Sequence, residues 1–273
     1  MIIEFAADDG VLDQNGFRRD EAACNLLHLI VGSRQSLRLT NRTRKLIFAQ
    51  TPGQNAWLWI AEQTADEERD RLLQQLIAWL QKRDVRLPGV TGLPRTAELM
   101  AERYCAARGM TYDTHMRMES YSCPAPSRKP DVRGRMRPAG RPDAPLVAAY
   151  VASFAEEALG GQPDPAAHAA AAEWLVSTGN LYLWTVGDEV VSMANIAHRS
   201  SRHGRINSVF TPESRRRNGF ATALVAELCG MLHRERLVPM LYADQTNPDS
   251  NKVYRNVGFE PSGTVIDIRF SGG

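Results

Sequence analysis

Two polar segments in the C-terminal half hold the residue types whose spacing can do chemistry. The first runs from Ile206 to Thr222. An apolar strand ends at Phe210, Thr211-Pro212 breaks it, and a basic, glycine-containing turn leads into a helix. Within it, Arg216-x-x-Gly219-x-Ala221 sets small residues where backbone has to approach a ligand closely. The helix start presents unpaired N–H groups and the positive end of its dipole, which suits a pyrophosphate. Arg215, Arg216 and Arg217 add positive charge beside it. The segment is not a P-loop, because no Gly-Lys-Ser/Thr follows, and not a dinucleotide fingerprint, which needs Gly-x-Gly-x-x-Gly. A merely solvated basic helix start is the alternative. The second segment runs from Tyr242 to Phe259. Its polar turn (Asn247, Asp249, Ser250) leads into a helix that sets Tyr254 one turn after Asn251. A tyrosine of pKa near 10 can hydrogen-bond or donate a proton at neutral pH. Packing of the Tyr254 ring and turn capping by Asn247 are the structural alternatives.

Taken as a pair, the segments resemble the GNAT acetyltransferase superfamily. The likeness rests on strand, Thr-Pro, Arg-x-x-Gly-x-Ala and helix, followed by Asn-Pro-x-Ser-Asn-x-x-Tyr-x-x-x-Gly-Phe, and covers roughly Gly134 to Phe270. It implies an α/β (by some schemes α+β) GNAT fold, a mixed, mostly antiparallel sheet flanked by helices, with two such domains in tandem. It also implies acetyl-CoA as co-substrate, no metal, and direct acetyl transfer to a primary amine of a small molecule or peptide. In the family, acetyl-CoA lies where two central parallel strands splay apart, here those ending at Phe210 and Ala243. The resemblance gives the backbone of Ser208, Val209 and Phe210 to the pantetheine arm and thioester carbonyl. It gives Arg216, Arg217, Asn218, Gly219, Phe220, Ala221 and Thr222 to the pyrophosphate, Asn247 and Asn251 to the CoA arm, and Tyr254 to protonation of the departing thiolate. Many members carry a Glu on the strand before the cradle, where this sequence has Asn207 and Ser208. Asp244, Glu156, Glu157 or a water remain as general-base candidates, and His198 and His203 read as surface residues. Cys229, inside the helix after the cradle, is a poor nucleophile. The rival reading is a non-catalytic acyl-CoA-binding or protein-interaction module that keeps the fold.

The elements that must position these groups follow from periodicity. In the C-terminal half, 147–159 and 165–177 read as helices, 181–186 and 189–197 as a hairpin through Gly187-Asp188, and 204–210 as a strand. Helix 220–233 carries Leu224, Val225, Leu228 and Leu232 on one stripe, and strand 238–243, helix 250–256 and strand 263–270 complete the half. In the N-terminal half, 56–61 reads as a strand, 67–83 as an amphipathic helix, and 90–92 as a short segment. Helix 95–107 and strand 111–122 follow. This half has no basic glycine turn, so it is expected to lack its own cofactor and to be a degenerate GNAT-like domain. Trp57, Trp59 and Trp79 either line a cleft there or pack in the core. Between Cys123 and Pro145 six prolines and six basic residues mark an extended linker. The expected division is 1–123, linker 124–145, and a catalytic domain 146–273.

Composition excludes several classes. Of 273 residues, 33 are Lys or Arg and 31 are Asp or Glu, a net charge of +2 that argues against a nucleic-acid clamp. The basic linker lacks interleaved aromatics for base stacking. With 43% hydrophobic and 23% charged residues the chain is an ordinary globular one. Cys24, Cys105, Cys123 and Cys229 are scattered, which speaks against disulfides and zinc. The acidic start (Glu4, Asp8, Asp9) is unlike a signal peptide, and no apolar run approaches a membrane span, so a cytoplasmic protein is expected. The oligomeric state is left open, a homodimer included.

Overall fold

A computed structural model describes residues 1–125, 130–159 and 164–272. Its elements fall into two compact units. The first comprises Met1–Tyr121, Tyr242–Asn247 and the chain from Pro261, and the second Ser122–Leu241 and Pro248–Glu260.

The first unit opens with β1 (Ile2–Glu4), α1 (Asn15–Asp20) and α2 (Leu26–Gly32), then β2 (Leu37–Asn41), β3 (Leu46–Gln50) and β4 (Ala56–Ile60). It continues with α3 (Asp66–Lys82), β5 (Gly89–Gly92), α4 (Pro94–Ala106) and β6 (Thr111–Ser122). Strands β1 to β4 form an antiparallel meander, and β5 joins β4 in parallel after the α3 crossover. Every residue of β3 and β4 is buried, because helices cover both faces. Leu46, Phe48, Leu58 and Ile60 pack with Leu72, Leu73 and Leu76 of α3 and Met100 and Tyr104 of α4. Ile47, Ala49, Trp57 and Trp59 pack with Phe17 and Leu27 on the other face. Trp59 also donates its indole N–H to Asp20 at 2.8 Å. Trp79 is half-buried against the first of these cores, with the Arg83 guanidinium over its ring at 3.9 Å.

The second half of the chain repeats the same order of elements. It runs β7 (Arg135–Pro138), α5 (Ala144–Leu159), α6 (Ala169–Ser177), β8 (Leu181–Val186), β9 (Glu189–Arg199) and β10 (His203–Phe210). Then come α7 (Phe220–Arg234), β11 (Val238–Asp244), α8 (Pro248–Val257) and β12 (Glu260–Ser271). The end of β11 and nearly all of β12 belong to the first unit. Strands β7 to β10 form an antiparallel meander, and β11 pairs with β10 in parallel. Val147 and Tyr150 of α5 and Val176 of α6 bury Leu183, Met193 and Phe210.

Two features differ from the division read in the sequence. Within 124–145, residues 126–129 lie outside the described residues, and Arg135–Pro138 is a strand rather than a linker. Extended, proline-bounded backbone also suits an edge strand, and among the described residues β7 pairs only with β8. The last strand, given to the C-terminal domain by its place in the chain, runs antiparallel to β5 of the first unit, with Ile266 opposite Gly92 and Arg269 opposite Gly89. A strand's sequence carries its pattern of burial but not the identity of the edge it joins.

Candidate active site

The site is built around the end of β10. The β10–β11 ladder holds for three pairs, His203 with Val238 to Arg205 with Met240. On the other side, the β9 ladder passes from Asn207 opposite Asn195 directly to Phe210 opposite Met193, a bulge of one residue. Ser208 takes φ +50° within it, an uncommon conformation for a residue with a side chain. Ser208 and Val209 therefore face no ladder partner on either side among the described residues. Both are half-buried, while Phe210 is buried against the rings of Tyr150 (5.3 Å) and Phe154 (6.5 Å). The Phe210 carbonyl already accepts from Ser192 Oγ at 3.0 Å, and Ser192 in turn accepts from Thr211 Oγ1 at 2.9 Å.

In the loop to α7, Arg217 (φ +63°) and Gly219 (φ +77°) are both left-handed, a backbone conformation that occurs in anion-binding nests. Asn218 donates its side-chain amide to the carbonyls of Arg215 (3.1 Å) and Arg216 (3.0 Å) and so braces the turn from within. Gly219 is the N-cap and supplies no side-chain cap, so the first N–H groups of α7, at Phe220, Ala221 and Thr222, keep their donors for a ligand. The first intrahelical bond runs from Ala223 N to Gly219 O at 2.9 Å. Gly219 adopts a φ that favours glycine, and a Cβ there would make a tight contact of 3.0 Å with Val132 Cγ2. This arrangement fits a pyrophosphate.

Arg216 pairs with Glu157 and donates Nε to Thr211 O at 3.0 Å, and Arg215 pairs with Glu189 at 2.6 Å. All three arginines, Arg217 included, are exposed beside the helix start. Glu157 and Glu189 were not legible as partners, since nothing in their own segments distinguishes them from solvated acids.

Helix α8 packs against α7 and presents Asn251 and Tyr254 on one face, both buried at 8% exposure. The Tyr254 ring meets Phe259 edge-on at 6.0 Å. Burial pushes its phenol up to about 12, so it is a neutral donor throughout the physiological range. Asn247 is exposed in the turn before α8, its N–H donating to Asp244 O at 3.1 Å. Asp244 caps that turn, accepting Thr246 N and Oγ1, both at 2.8 Å. Asn207, half-buried, accepts from Asn195 Nδ2 at 2.9 Å, and Asn195 is buried. His198 and His203, expected at the surface, are half-buried, and His198 Nδ1 accepts from Arg205 Nε at 3.3 Å. Cys229 is buried and its thiol is pushed up by the neighbouring Cys123 and by burial, which suppresses the thiolate a nucleophile needs.

The matching place in the first unit is closed. Its helix α3 begins with Asp66, Glu67 and Glu68, where an anion would be repelled. The loop before it is filled by Arg69, 2% exposed, whose guanidinium donates to the carbonyls of Glu62 (3.0 Å) and Thr64 (3.3 Å) and to Thr96 Oγ1 (2.7 Å). Among the described residues no group of three or more His, Cys, Asp or Glu could hold a metal, and no helix is long and apolar enough to cross a membrane.

Comparison with known proteins finds one family and several similar folds. Residues 148–259 match the model of the acetyltransferase (GNAT) family. A GNAT-family acetyltransferase from Colwellia psychrerythraea is similar over 100% of both chains, with TM-score 0.57 and 13% identity. A GCN5-related N-acetyltransferase from Sphaerobacter thermophilus is similar over 100% of this chain and 96% of its own, with TM-score 0.59 and 16% identity. One from Kribbella flavida covers 95% and 98%, with TM-score 0.60 and 16% identity. At these identities the likeness is one of fold. Among curated proteins no sequence matches.

Proposed function

From the match of residues 148–259 to the acetyltransferase (GNAT) family model, we propose that this chain transfers the acetyl group of acetyl-CoA directly to a primary amine of a small molecule or peptide. The observation that carries the reading is the uncapped start of α7, reached from a bulged strand end through two left-handed residues. Acetyl-CoA supplies an activated thioester. The N–H groups of Gly219, Phe220, Ala221 and Thr222, with Arg217 and Asn218, hold the pyrophosphate, and Arg216 fixes the loop through Glu157. The free backbone of Ser208 and Val209 takes the pantetheine arm and orients the thioester carbonyl, and Phe210 shapes the wall behind them. Asn247 and Asn251 border the arm, and Tyr254 donates a hydrogen bond to the sulfur as it leaves. With Asn207 in place of a carboxylate, a water or the neutral fraction of the amine itself meets the need for a base. Residues 1–121 act as a GNAT-like repeat without a cofactor, supported by the acidic α3 start and the Arg69 plug.

The test is a calorimetric titration with acetyl-CoA of wild type and Ala221→Glu. A glutamate in the first turn favours a helix start, so stability should not fall, yet it places a carboxylate among the phosphate donors. Binding by wild type, weakened at least about tenfold in the variant with no drop in Tm, supports the cradle. Equal binding by both removes it. The Asn207 amide favours a second reading, acyl-CoA binding without turnover. Absence of CoA release across an amine panel, with binding intact, would select that reading.

A further inference from the structure

The first unit contains an open cavity of about 420 Å³, away from its plugged α3 loop and of ordinary size for a small-molecule site. One wall is apolar, made of Leu26 and Ile30 of α2, Met118 of β6 and the indole of Trp57. The other carries Thr91 and Asn55 around Asp267, the one charged residue among those lining the cavity. Asp267 is held in place from both sides. Asn55 Nδ2 donates to its Oδ1 at 2.8 Å and Thr91 Oγ1 donates to the same oxygen at 2.5 Å. Both bonds fall on one oxygen, so Oδ2 keeps its lone pairs for a third donor. The carboxylate is thus oriented at no further entropic cost, in a cavity whose lining includes no basic group to neutralise it. Trp57 contributes an edge of its indole to the lining, the rest being packed in the core beside Tyr242 (5.9 Å between rings).

From this placement we propose that the cavity binds a small organic ammonium with an apolar body, of the arylalkylamine class. The ammonium donates to Asp267 Oδ2 and the ring lies among Trp57, Leu26, Ile30 and Met118. The carboxylate selects a cation over its neutral isostere by charge pairing, and the apolar lining takes the body of the ligand. The site stands independently of the transferase reading, because all of its lining residues belong to the first unit.

The probe is tryptamine, titrated into the full chain without acetyl-CoA, against its neutral isostere tryptophol. Saturable tryptamine binding, at least about tenfold tighter than tryptophol, is expected in wild type. Asp267→Asn keeps an acceptor for Asn55 and Thr91 but loses the charge, and should erase the discrimination. Met118→Trp fills the cavity from the opposite wall and should abolish binding. Equal affinity for the two probes in wild type, absence of saturable tryptamine binding, or tryptamine affinity unchanged in folded Met118→Trp overturns the proposal. The wild-type comparison decides the matter even if Asp267→Asn fails to fold.

Discussion

Replacing Tyr254 with Phe separates two ways in which a tyrosine can serve the departing sulfur. Burial raises the phenol from its ordinary 10 to about 12, which leaves it neutral at every pH at which an acetyl acceptor is tested. A thiol titrates near 8.5, so full transfer of the phenolic proton to a thiolate is uphill by roughly 3.5 pH units, or about 5 kcal/mol. Donating a hydrogen bond to the developing thiolate carries no such penalty and is worth about 1.5–3 kcal/mol. Tyr254→Phe should therefore lower kcat by about 10- to 150-fold, with the acetyl-CoA Kd changed less than threefold. The ring keeps its edge-on contact with Phe259, so the fold is retained. The same shift sets a stability signature. A phenol whose folded pKa lies above its unfolded value stabilises the fold below pH 10, and that contribution is lost as pH rises through 12. The two-unit shift corresponds to about 2.7 kcal/mol, which wild type should lose over that window and the Phe variant should not. Single-turnover rates, calorimetry and melts from pH 9 to 12 read all three quantities. A kcat within twofold of wild type, in a variant that binds acetyl-CoA normally, would remove Tyr254 from the reaction.

Further expectations concern the scaffold. A Cβ at Gly89 would lie 2.1 Å from Ile268 O and 2.6 Å from Asn55 Oδ1, so Gly89→Ala must push β12 off β5. A loss of about 3 kcal/mol or more is expected, seen as a Tm drop of roughly 6–12 °C, and an unchanged melt would contradict this packing. Asp143 accepts both guanidinium nitrogens of Arg137 at 2.7 Å and the Gly140 N–H at 2.7 Å, which hold its carboxyl below the ordinary 3.8. Its contribution is present above that value and is lost as pH falls through the lower folded one. Asp143→Asn should therefore cost about 1–2 kcal/mol at pH 7 and nothing in strong acid, as denaturant melts at the two pH values would show.

How much could be read from the sequence depends on the range of the interactions concerned. The strand, loop and helix of the proposed cradle were legible because β10, Thr211-Pro212, the loop and α7 are contiguous, so type and order of residues define them. Helix α3 was legible from the stripe Leu72, Leu73, Leu76, Leu80, and α8 from its polar start. The first 55 residues gave no elements, because β3 is buried on both faces and shows no alternation, while α1 and α2 are too short for a stripe. The pairing of Arg216 with Glu157 and the filling of the first unit's loop by Arg69 depend on side chains meeting across the fold. No local spacing encodes such meetings. Trp57 and Trp59 do both things considered for them. Their residue-type signal is the same, yet Trp59 is core and Trp57 is core that also borders a cavity.

The pairing of β12 with β5 has a consequence for biosynthesis. When Gly92 leaves the ribosome, β5 finds β4 at once, but its other edge waits for Ile266 to Arg269, about 180 residues later. At roughly 5–20 residues per second, that edge is exposed for about 10–35 s, with the backbone donors and acceptors of Val90 and Thr91 unsatisfied. A nascent chain with an open strand edge is a target for holdase chaperones and for mispairing with its neighbours on a polysome. Slow codons in the intervening stretch should therefore lower soluble yield, whereas the same codons placed before β4 should not.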